Sequence, residues 1–325
     1  MSRWSIPAAS FLVPASTPTS WRLPWKRSAR RRTGSSQSAD QTGRADTSPS
    51  ICPQRSAKAR RHGGSSLTKP TPATPAPRPY AFVKGAGANT IVLLHGFGGF
   101  HGAWTEIQPG LVSGATVLAY DLPGHNRSLR VPTNGSAGVA VKAILADLQL
   151  RGITKAHFIG HSMGGAIATL IGLRAPEMAQ SLTLLSPGGF GPEINADLLR
   201  RYGAATNADE LRCCLNEMSA PGFEMPTKYV VGLSATRRLP GQHDKLVEIA
   251  STITKDGRQG EIPREMLATL SMPVTVVWGT KDTVLPFHQT DGLPSSFKLE
   301  VLPGKGHMLM EEAREPVLRI LRRKL

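Results

Sequence analysis

A serine between two glycines, set between a strand pattern and a helix pattern, most limits how this chain can fold. A short apolar run at residues 156–159 leads into a Gly-x-Ser-x-Gly motif at residues 160–164, and a stretch of small residues suited to a helix follows. Gly160 and Gly164 lack the Cβ atoms that would collide where a strand turns directly into a helix. The pattern therefore predicts a strained strand-to-helix turn that exposes the hydroxyl of Ser162.

Around this turn, short β-branched runs alternate with longer stretches of helical pattern. Such alternation is typical of strands joined by crossover helices, which form a parallel sheet with helices on both faces. The predicted strands are 80–83, 91–94, 116–120, 156–159, 182–185, 274–278 and 299–302, and the predicted helices are 137–150, 163–174 and 316–323. The sequence thus predicts an α/β fold with a mostly parallel, doubly wound sheet.

The alternation of strands and helices stops between Leu185 and Pro273. A segment of this length is too long for a simple loop. Short helices are predicted within it at residues 196–202, 208–218 and 246–251. We expect a helical cap of about residues 187–270 over the carboxyl ends of the strands, where α/β folds bind their ligands.

A serine hydroxyl is a weak nucleophile and needs a general base, together with an acid that orients the base. Asp282 and His307 each follow a late predicted strand, in the order serine, acid, histidine. Because the carboxyl ends of parallel strands meet at one edge of a sheet, both are expected beside Ser162. Asp282 is favoured because it alone directly follows a late strand in this order, and the alternatives are Asp121 or Asp291 as the acid and His288 as the base.

Acyl transfer also needs two backbone N–H groups that bind the developing oxyanion. The Met163 amide directly follows the serine and is expected to be the first donor. The second is expected in the loop after the strand at 91–94, where residues 95–99 read His-Gly-Phe-Gly-Gly. Phe97 is the predicted donor in this loop, and its side chain is expected to form a wall of the substrate pocket.

The first 79 residues differ in composition from the rest of the chain. They contain 14 Lys or Arg and two acidic residues, so they carry +12 of the net charge of +16. They are rich in Ser, Pro, Thr and Ala without a sustained hydrophobic period, which predicts a basic, low-complexity, disordered segment. One folded domain is predicted over residues 80–325. Its remaining charge of +4 forms no basic stripe, which argues against nucleic-acid binding.

Several other kinds of site and location are disfavoured by the composition. No apolar run approaches the about 20 residues that cross a bilayer, so no membrane span is expected. Cys52, Cys213 and Cys214 match neither a disulfide framework nor a metal-ligand spacing, and we expect no metal or cofactor and a cytoplasmic location. For residues 1–79, a disordered tail, a transit segment and a misread coding region remain open.

Four motifs in combination resemble the α/β-hydrolase superfamily. They lie at residues 94–99, 121–125, 160–165 and 304–308, and the resemblance covers about residues 80–325. Within the superfamily, residues 181–195 are most similar to the hydrolase-like C-terminal domain of dihydrolipoamide acetyltransferase components of acetoin dehydrogenase complexes. The resemblance implies an α/β-hydrolase fold with Ser162, Asp282 and His307 as catalytic triad. Asn126 stands where the family usually has glycine.

The reaction expected from these residues is two-step acyl transfer from a small-molecule carbonyl substrate. Hydrolysis of an ester, a thioester or a similar carbonyl compound is the first expectation. Three alternatives remain. They are an acyltransferase associated with an acetoin dehydrogenase-like complex, a hydrolase of carbon–carbon bonds, and a catalytically silent interaction module.

Overall fold

The structure, a computed structural model, describes residues 77–323. The segment predicted to be disordered therefore lies outside the described residues except for its last three positions, and that prediction stays untested. The strands are Ala81–Lys84 (β1), Asn89–Leu94 (β2), Ala115–Tyr120 (β3), Ala156–His161 (β4), Ala179–Leu185 (β5), Val274–Gly279 (β6) and Phe297–Leu302 (β7). The α-helices are Ala137–Leu150 (α1), Met163–Arg174 (α2), Ala196–Ala204 (α3), Ala208–Met218 (α4), Thr227–Arg237 (α5), Gln242–Ile253 (α6), Arg264–Leu267 (α7), Leu309–Glu312 (α8) and Arg314–Arg322 (α9).

The strands form one twisted sheet in the order β1-β3-β2-β4-β5-β6-β7. Every neighbouring pair is parallel except β1 and β3, which are antiparallel. The central strands are buried on both faces, which explains why their sequences read as continuous apolar runs instead of alternating ones. The predicted α/β plan with a mostly parallel sheet is confirmed.

Alternate residues of the central strands contribute to two hydrophobic cores, one on each face of the sheet. Along β2, Val92 and Leu94 belong to the core that is covered by α1 and α2, whereas Ile91 and Leu93 belong to the opposite core. The second core is covered by α9, which buries four apolar residues against it. Helices on both faces confirm the doubly wound arrangement.

The connection between β5 and β6 is the helical insertion α3–α7, as predicted from the interrupted alternation of strands and helices. The structure differs from the prediction at α5 and α7, which were not predicted, and at α6, which begins earlier than expected. Two valines and Gly232 give α5 a weak intrinsic helix preference. Packing overrides this preference, because Val230 and Leu233 are completely buried in the core. Within residues 77–323, no helix is long and apolar enough to span a membrane.

Candidate active site

Ser162 occupies the sharp turn between β4 and α2, with φ of 52° and ψ of −117°. This left-handed conformation is strained for a residue with a Cβ atom. Glycine is required on both sides, since a Cβ atom at Gly160 would lie 2.2 Å from the Gly164 oxygen. A Cβ atom at Gly164 would lie 2.2 Å from the Leu94 oxygen. The serine is half-buried and lies at the carboxyl edge of the sheet.

Asp282 and His307 are joined by a hydrogen bond of 2.8 Å between Oδ2 and Nδ1. Both side chains are almost completely buried, with exposures of 0% and 4%. The other carboxylate oxygen of Asp282 accepts the N–H groups of Val284 and Leu285, at 2.9 and 2.8 Å. These two donors turn Oδ2 towards the imidazole. A carboxylate only accepts, so the proton of neutral His307 lies on Nδ1 and Nε2 is left as an acceptor.

The rival acids and the rival base lie apart from His307. Asp121 accepts the His101 N–H at 2.7 Å and the His101 Nδ1–H at 2.9 Å. Its second oxygen accepts the amide of Asn126 at 3.0 Å. Asn126 has φ of 44°, a region that asparagine tolerates better than most residues, which explains how it replaces a glycine here. The remaining rivals, Asp291 and His288, are exposed.

The backbone amides of Phe97 and Met163 flank Ser162. A Cβ atom at Gly96 would lie 3.2 Å from the Ser162 Cβ, so the loop that carries Phe97 lies directly beside the serine. Met163 is the first residue of α2, where helix geometry supplies no acceptor for the N–H. In the described part of the chain neither amide donates to another backbone group, and Ser162 Oγ makes no hydrogen bond with His307. Both amides are therefore available to a ligand.

His95, whose role the sequence pattern left unassigned, fixes the direction of the Phe97 amide. The Gly96 carbonyl, which shares a peptide unit with the Phe97 N–H, accepts from His95 Nδ1 at 2.7 Å and from the Gly99 N–H at 3.1 Å. His95 Nε2 accepts the Leu122 N–H at 3.0 Å. Burial lowers the pKa of His95 to about 4, which keeps the ring neutral with one donor and one acceptor. Because the peptide unit is planar, anchoring its carbonyl also aims its N–H.

The helical insertion also contacts this loop. The Gly98 carbonyl accepts from Arg237 Nη1 of α5 at 3.2 Å and from the Tyr202 hydroxyl of α3 at 3.4 Å. The Gly98 N–H donates to Nε2 of the buried His125 at 3.1 Å. Arg237 is 6% exposed, so the insertion holds the loop through a desolvated hydrogen bond, which is stronger than one in water.

Glu312 holds the backbone around His307. Its carboxylate accepts the N–H groups of Gly306 at 2.8 Å and Met308 at 3.1 Å, the residues on either side of the histidine. It also accepts the Ala220 N–H of the insertion at 3.0 Å. Glu312 is 7% exposed, and no sequence motif pointed to it, since its partners are backbone groups that any residue supplies.

Replacing Glu312 with glutamine is expected to lower stability and kcat together. The amide offers one acceptor oxygen where three buried N–H groups need both carboxylate oxygens, so we expect a loss of about 1–3 kcal/mol in unfolding free energy. A loosened His307 is expected to reduce kcat about tenfold. Urea denaturation and steady-state kinetics with an ester substrate measure the two effects.

The neighbouring Glu311 provides a matched control for this substitution. Burial raises the pKa of Glu311 to about 8, so its side chain is mostly neutral at pH 7. Oε2 of Glu311 has no hydrogen-bond partner among the described residues. Glu311→Gln is therefore expected to change kcat by less than about twofold. Equal losses in the two variants would contradict the role of Glu312.

Two cavities meet at Ser162. The larger cavity has a volume of about 250 Å³ and the smaller one, on the side of His307, about 20 Å³. The larger cavity is lined by Phe97, Gly135, Ser136, Ala137, Ser162, Met163, Ala166, Gly188, Gly189, Ile194, Leu199, Thr252, Ile253, Gln259, Gly260 and Leu285. The smaller cavity is lined by Gly96, Phe97, Gly99, Ala103, His161, Ser162, Leu199, Tyr202, Leu215, Met218, Tyr229, His307, Met308 and Met310.

Within residues 77–323, no group of three His, Cys, Asp or Glu side chains is arranged to hold a metal ion.

Two relatives with assigned roles align with most of the described sequence. Over 233 residues the chain is 34% identical to the dihydrolipoyllysine-residue acetyltransferase component of the acetoin cleaving system of Pseudomonas putida. This match covers 72% of the chain but only 62% of the relative, so the chain spans less than two thirds of that protein. The chain is also 28% identical over 232 residues to a 2-hydroxy-6-oxononadienedioate/2-hydroxy-6-oxononatrienedioate hydrolase of Comamonas testosteroni. This match covers 67% of the chain and 80% of that enzyme.

Solved structures share the fold. A meta-cleavage product hydrolase from Pseudomonas fluorescens IP01 superposes with a TM-score of 0.66 at 20% identity, covering 76% of this chain and 93% of that one. A 2-hydroxy-6-oxo-6-phenylhexa-2,4-dienoate hydrolase from Rhodococcus sp. strain RHA1 has a TM-score of 0.65 at 24% identity, with coverages of 76% and 94%. The sequence profile of the alpha/beta hydrolase family matches residues 91–320. Since this match extends from β2 to α9 and the sheet has the corresponding topology, the chain belongs to the alpha/beta hydrolase family.

Proposed function

We propose that this chain is a serine hydrolase that acts on an ester, a thioester or a similar carbonyl compound through an acyl-enzyme. Ser162 is the nucleophile, His307 the general base and Asp282 the acid that orients the base. The observation that carries the proposal is the buried Asp282–His307 hydrogen bond beside a serine held at φ of 52°. Residues 80–325 form the catalytic domain, and residues 187–270 form its cap.

In the first step, Ser162 Oγ attacks the substrate carbonyl carbon while His307 Nε2 takes the hydroxyl proton. The carbonyl oxygen becomes an oxyanion and binds the N–H groups of Phe97 and Met163. Collapse of the tetrahedral intermediate breaks the bond to the leaving group, which receives the proton from His307. The acyl group is then bonded to Ser162, and the imidazole is neutral again.

In the second step, a water molecule attacks the acyl-enzyme and loses a proton to His307 Nε2. The same two amides bind the second oxyanion, and its collapse returns the proton to Ser162 Oγ and releases the acid. The smaller cavity lies between Ser162 and His307 and has about 20 Å³ of space. A cavity of about 10–15 Å³ or more holds one water molecule, so this space suits the deacylating water.

Labelling with a fluorophosphonate probe tests the proposal, because such probes phosphonylate serines that are activated by a neighbouring base. We expect one labelled peptide, containing Ser162, in the digested full-length protein, and no label in the Ser162→Ala variant. A catalytically silent module would bind no label at any serine. Unchanged labelling of the Ser162→Ala variant would contradict the assignment of the nucleophile.

Acyl transfer to a thiol within an acetoin dehydrogenase-like complex is a second candidate. The similarity to the Pseudomonas putida acetyltransferase component favours it. Transfer requires that a thiol outcompetes water at the acyl-enzyme. If the chain is a transferase, a dithiol acceptor will divert acetyl groups from an acetyl-thioester substrate to the acceptor thiol, whereas a hydrolase will release acetate at an unchanged rate.

Hydrolysis of a carbon–carbon bond is a third candidate, favoured by the similarity to the Comamonas testosteroni hydrolase. That enzyme acts on dioates, as its name states. Turnover of a ring-fission diketone, followed by the loss of its visible absorbance, would distinguish this reaction from ester hydrolysis. A chain that hydrolyses esters but leaves the diketone unchanged would exclude the third candidate.

A further inference from the structure

The larger cavity beside Ser162 is apolar and carries no charge. Among its sixteen lining residues in the described chain, none has an ionisable side chain, and most are glycine, alanine or large hydrophobic residues. We propose that this cavity binds the acyl group of the substrate and selects an uncharged acyl chain of medium length over one that ends in a carboxylate. The inference rests on the proposed function, since it assigns the substrate class of the same site.

The lining residues indicate which part of a substrate each cavity receives. The larger cavity includes Ser162 and the two proposed oxyanion residues, Phe97 and Met163, but not His307. The smaller cavity includes His307. Because His307 delivers a proton to the leaving group, the leaving group lies on the side of the smaller cavity. The acyl group therefore extends into the larger cavity.

Apart from Ser162, the larger cavity has three polar side chains, and each already has a protein partner. Ser136 Oγ accepts the Val139 N–H at the start of α1, at 3.4 Å. Thr252 Oγ1 donates to the Glu248 carbonyl at 3.1 Å. No lining side chain carries a positive charge, so a carboxylate in this space would lose hydration without gaining a cation, which disfavours its binding.

Gln259 is the third of these polar side chains, and it is the most completely engaged. Its amide oxygen accepts the Gly189 N–H at 2.9 Å, and its amide nitrogen donates to the Gly191 carbonyl at 2.7 Å. These bonds connect the loop after β5 with the last part of the insertion. Turning the Gln259 amide towards a ligand would break both of them, so it is part of the cavity wall.

The volume sets the length of the acyl chain. An apolar cavity of about 150 Å³ accommodates benzene, which has six heavy atoms, so a cavity of about 250 Å³ has room for about ten. An acetyl group would leave most of this space unfilled, whereas chains of about six to eight carbons would fill it. Each additional buried methylene is expected to raise kcat/KM by up to about fourfold until the cavity is full.

A matched pair of methyl esters tests the selectivity for charge. Methyl hexanoate and monomethyl adipate have acyl chains of the same length, and only the second ends in a carboxylate at pH 7. The methyl leaving group is chosen because the smaller cavity is narrow. With the full-length protein we expect kcat/KM for the hexanoate to exceed that for the adipate by about 100-fold or more, measured as released methanol. A ratio near one, or a faster adipate, would overturn the inference.

A series of methyl esters tests the length. Acetate, butyrate, hexanoate, octanoate and dodecanoate are expected to give kcat/KM values that rise to a maximum at six to eight carbons and then fall. The same methanol assay applies to every ester. A maximum at acetate would overturn the assignment of the larger cavity to the acyl group.

A positively charged substitution in the cavity wall tests the selectivity for charge in a second way. Thr252 is an exposed lining residue at the end of α6, so a longer side chain fits there without disturbing a core. Thr252→Lys is expected to lower the hexanoate-to-adipate ratio by about tenfold through attraction of the carboxylate. Thr252→Met, of similar length without charge, is expected to keep the ratio of the unmodified protein. The same ratio in both variants would overturn the inference.

Labelling at Ser162 separates the two proposals. If the fluorophosphonate labels Ser162 while the adipate is preferred, or while no ester of the series is hydrolysed, the inference about the cavity fails and the nucleophile assignment stands. If neither labelling nor hydrolysis occurs, the proposed function fails and the inference fails with it.

Discussion

Replacing Ser162 with alanine is expected to lower kcat/KM for ester hydrolysis by about 10³-fold or more, as deletions of a nucleophile that acts together with a base do. The substitution removes only the oxygen atom that forms the acyl-enzyme. The cavities and the two amides remain, so substrate binding is retained and the loss appears in kcat. Discontinuous assays at high enzyme concentration measure the residual activity of the variant. Thermal unfolding measures its stability separately.

Ser186 provides a matched control for this variant. Ser162 follows β4 and Ser186 follows the neighbouring β5, and both residues have positive φ angles, of 52° and 40°. Ser186 is completely buried, its hydroxyl has no hydrogen-bond partner among the described residues, and it lines neither cavity. Ser186→Ala is expected to change kcat/KM by less than about twofold. Comparable losses in the two variants would mean that the effect comes from the strained backbone and not from Ser162 Oγ.

The fold and three of the proposed site residues could be predicted because their signals are local or topological. Gly160 and Gly164 are required because the backbone of neighbouring segments lies close to them. A Cβ atom at either position would collide with that backbone. Asp282 and His307 directly follow late strands whose carboxyl ends meet at one edge, and this position, together with their order along the chain, favoured them over their rivals. Parallel sheets make this inference possible, since each strand end faces the same side.

The contacts that hold these residues in place could not be predicted. Glu312 binds backbone N–H groups, Arg237 and Tyr202 bind the carbonyl of Gly98, and backbone groups leave no signature in a sequence. Helix α5 was missed for a related reason. Its residues prefer other conformations, and only packing against the rest of the insertion makes it helical.

These contacts share a physical consequence for the proposed reaction. His95 aims the Phe97 amide and Glu312 holds the loop of His307, and both act through buried hydrogen bonds whose partners are fixed before a substrate arrives. Because these groups are already in place, no free energy is needed to order them when charge develops on the substrate. Arg237 extends this order to the insertion, so the proposed cap contributes to the oxyanion site and not only to the cavity wall.

Replacing Asp282 with asparagine is expected to lower kcat by about 10⁴-fold, the magnitude seen for the equivalent change in serine proteases. The reason lies in the two N–H groups, of Val284 and Leu285, that donate to Oδ1. They require an oxygen, so the amide nitrogen of the variant must face His307 and donate to Nδ1. The imidazole proton then moves to Nε2, and the nitrogen that should accept the Ser162 proton becomes a donor.

Nitrogen NMR of His307 distinguishes this tautomer change from a loss of structure. The variant is expected to show a protonated Nε2 and an unprotonated Nδ1, the reverse of the unmodified protein. Asp291→Asn is the matched control, because Asp291 lies in the same part of the chain but is exposed. It is expected to keep both the tautomer and kcat. If Asp282→Asn lowered kcat while His307 kept its proton on Nδ1, the loss would arise elsewhere and Asp282 would not be the residue that orients the base.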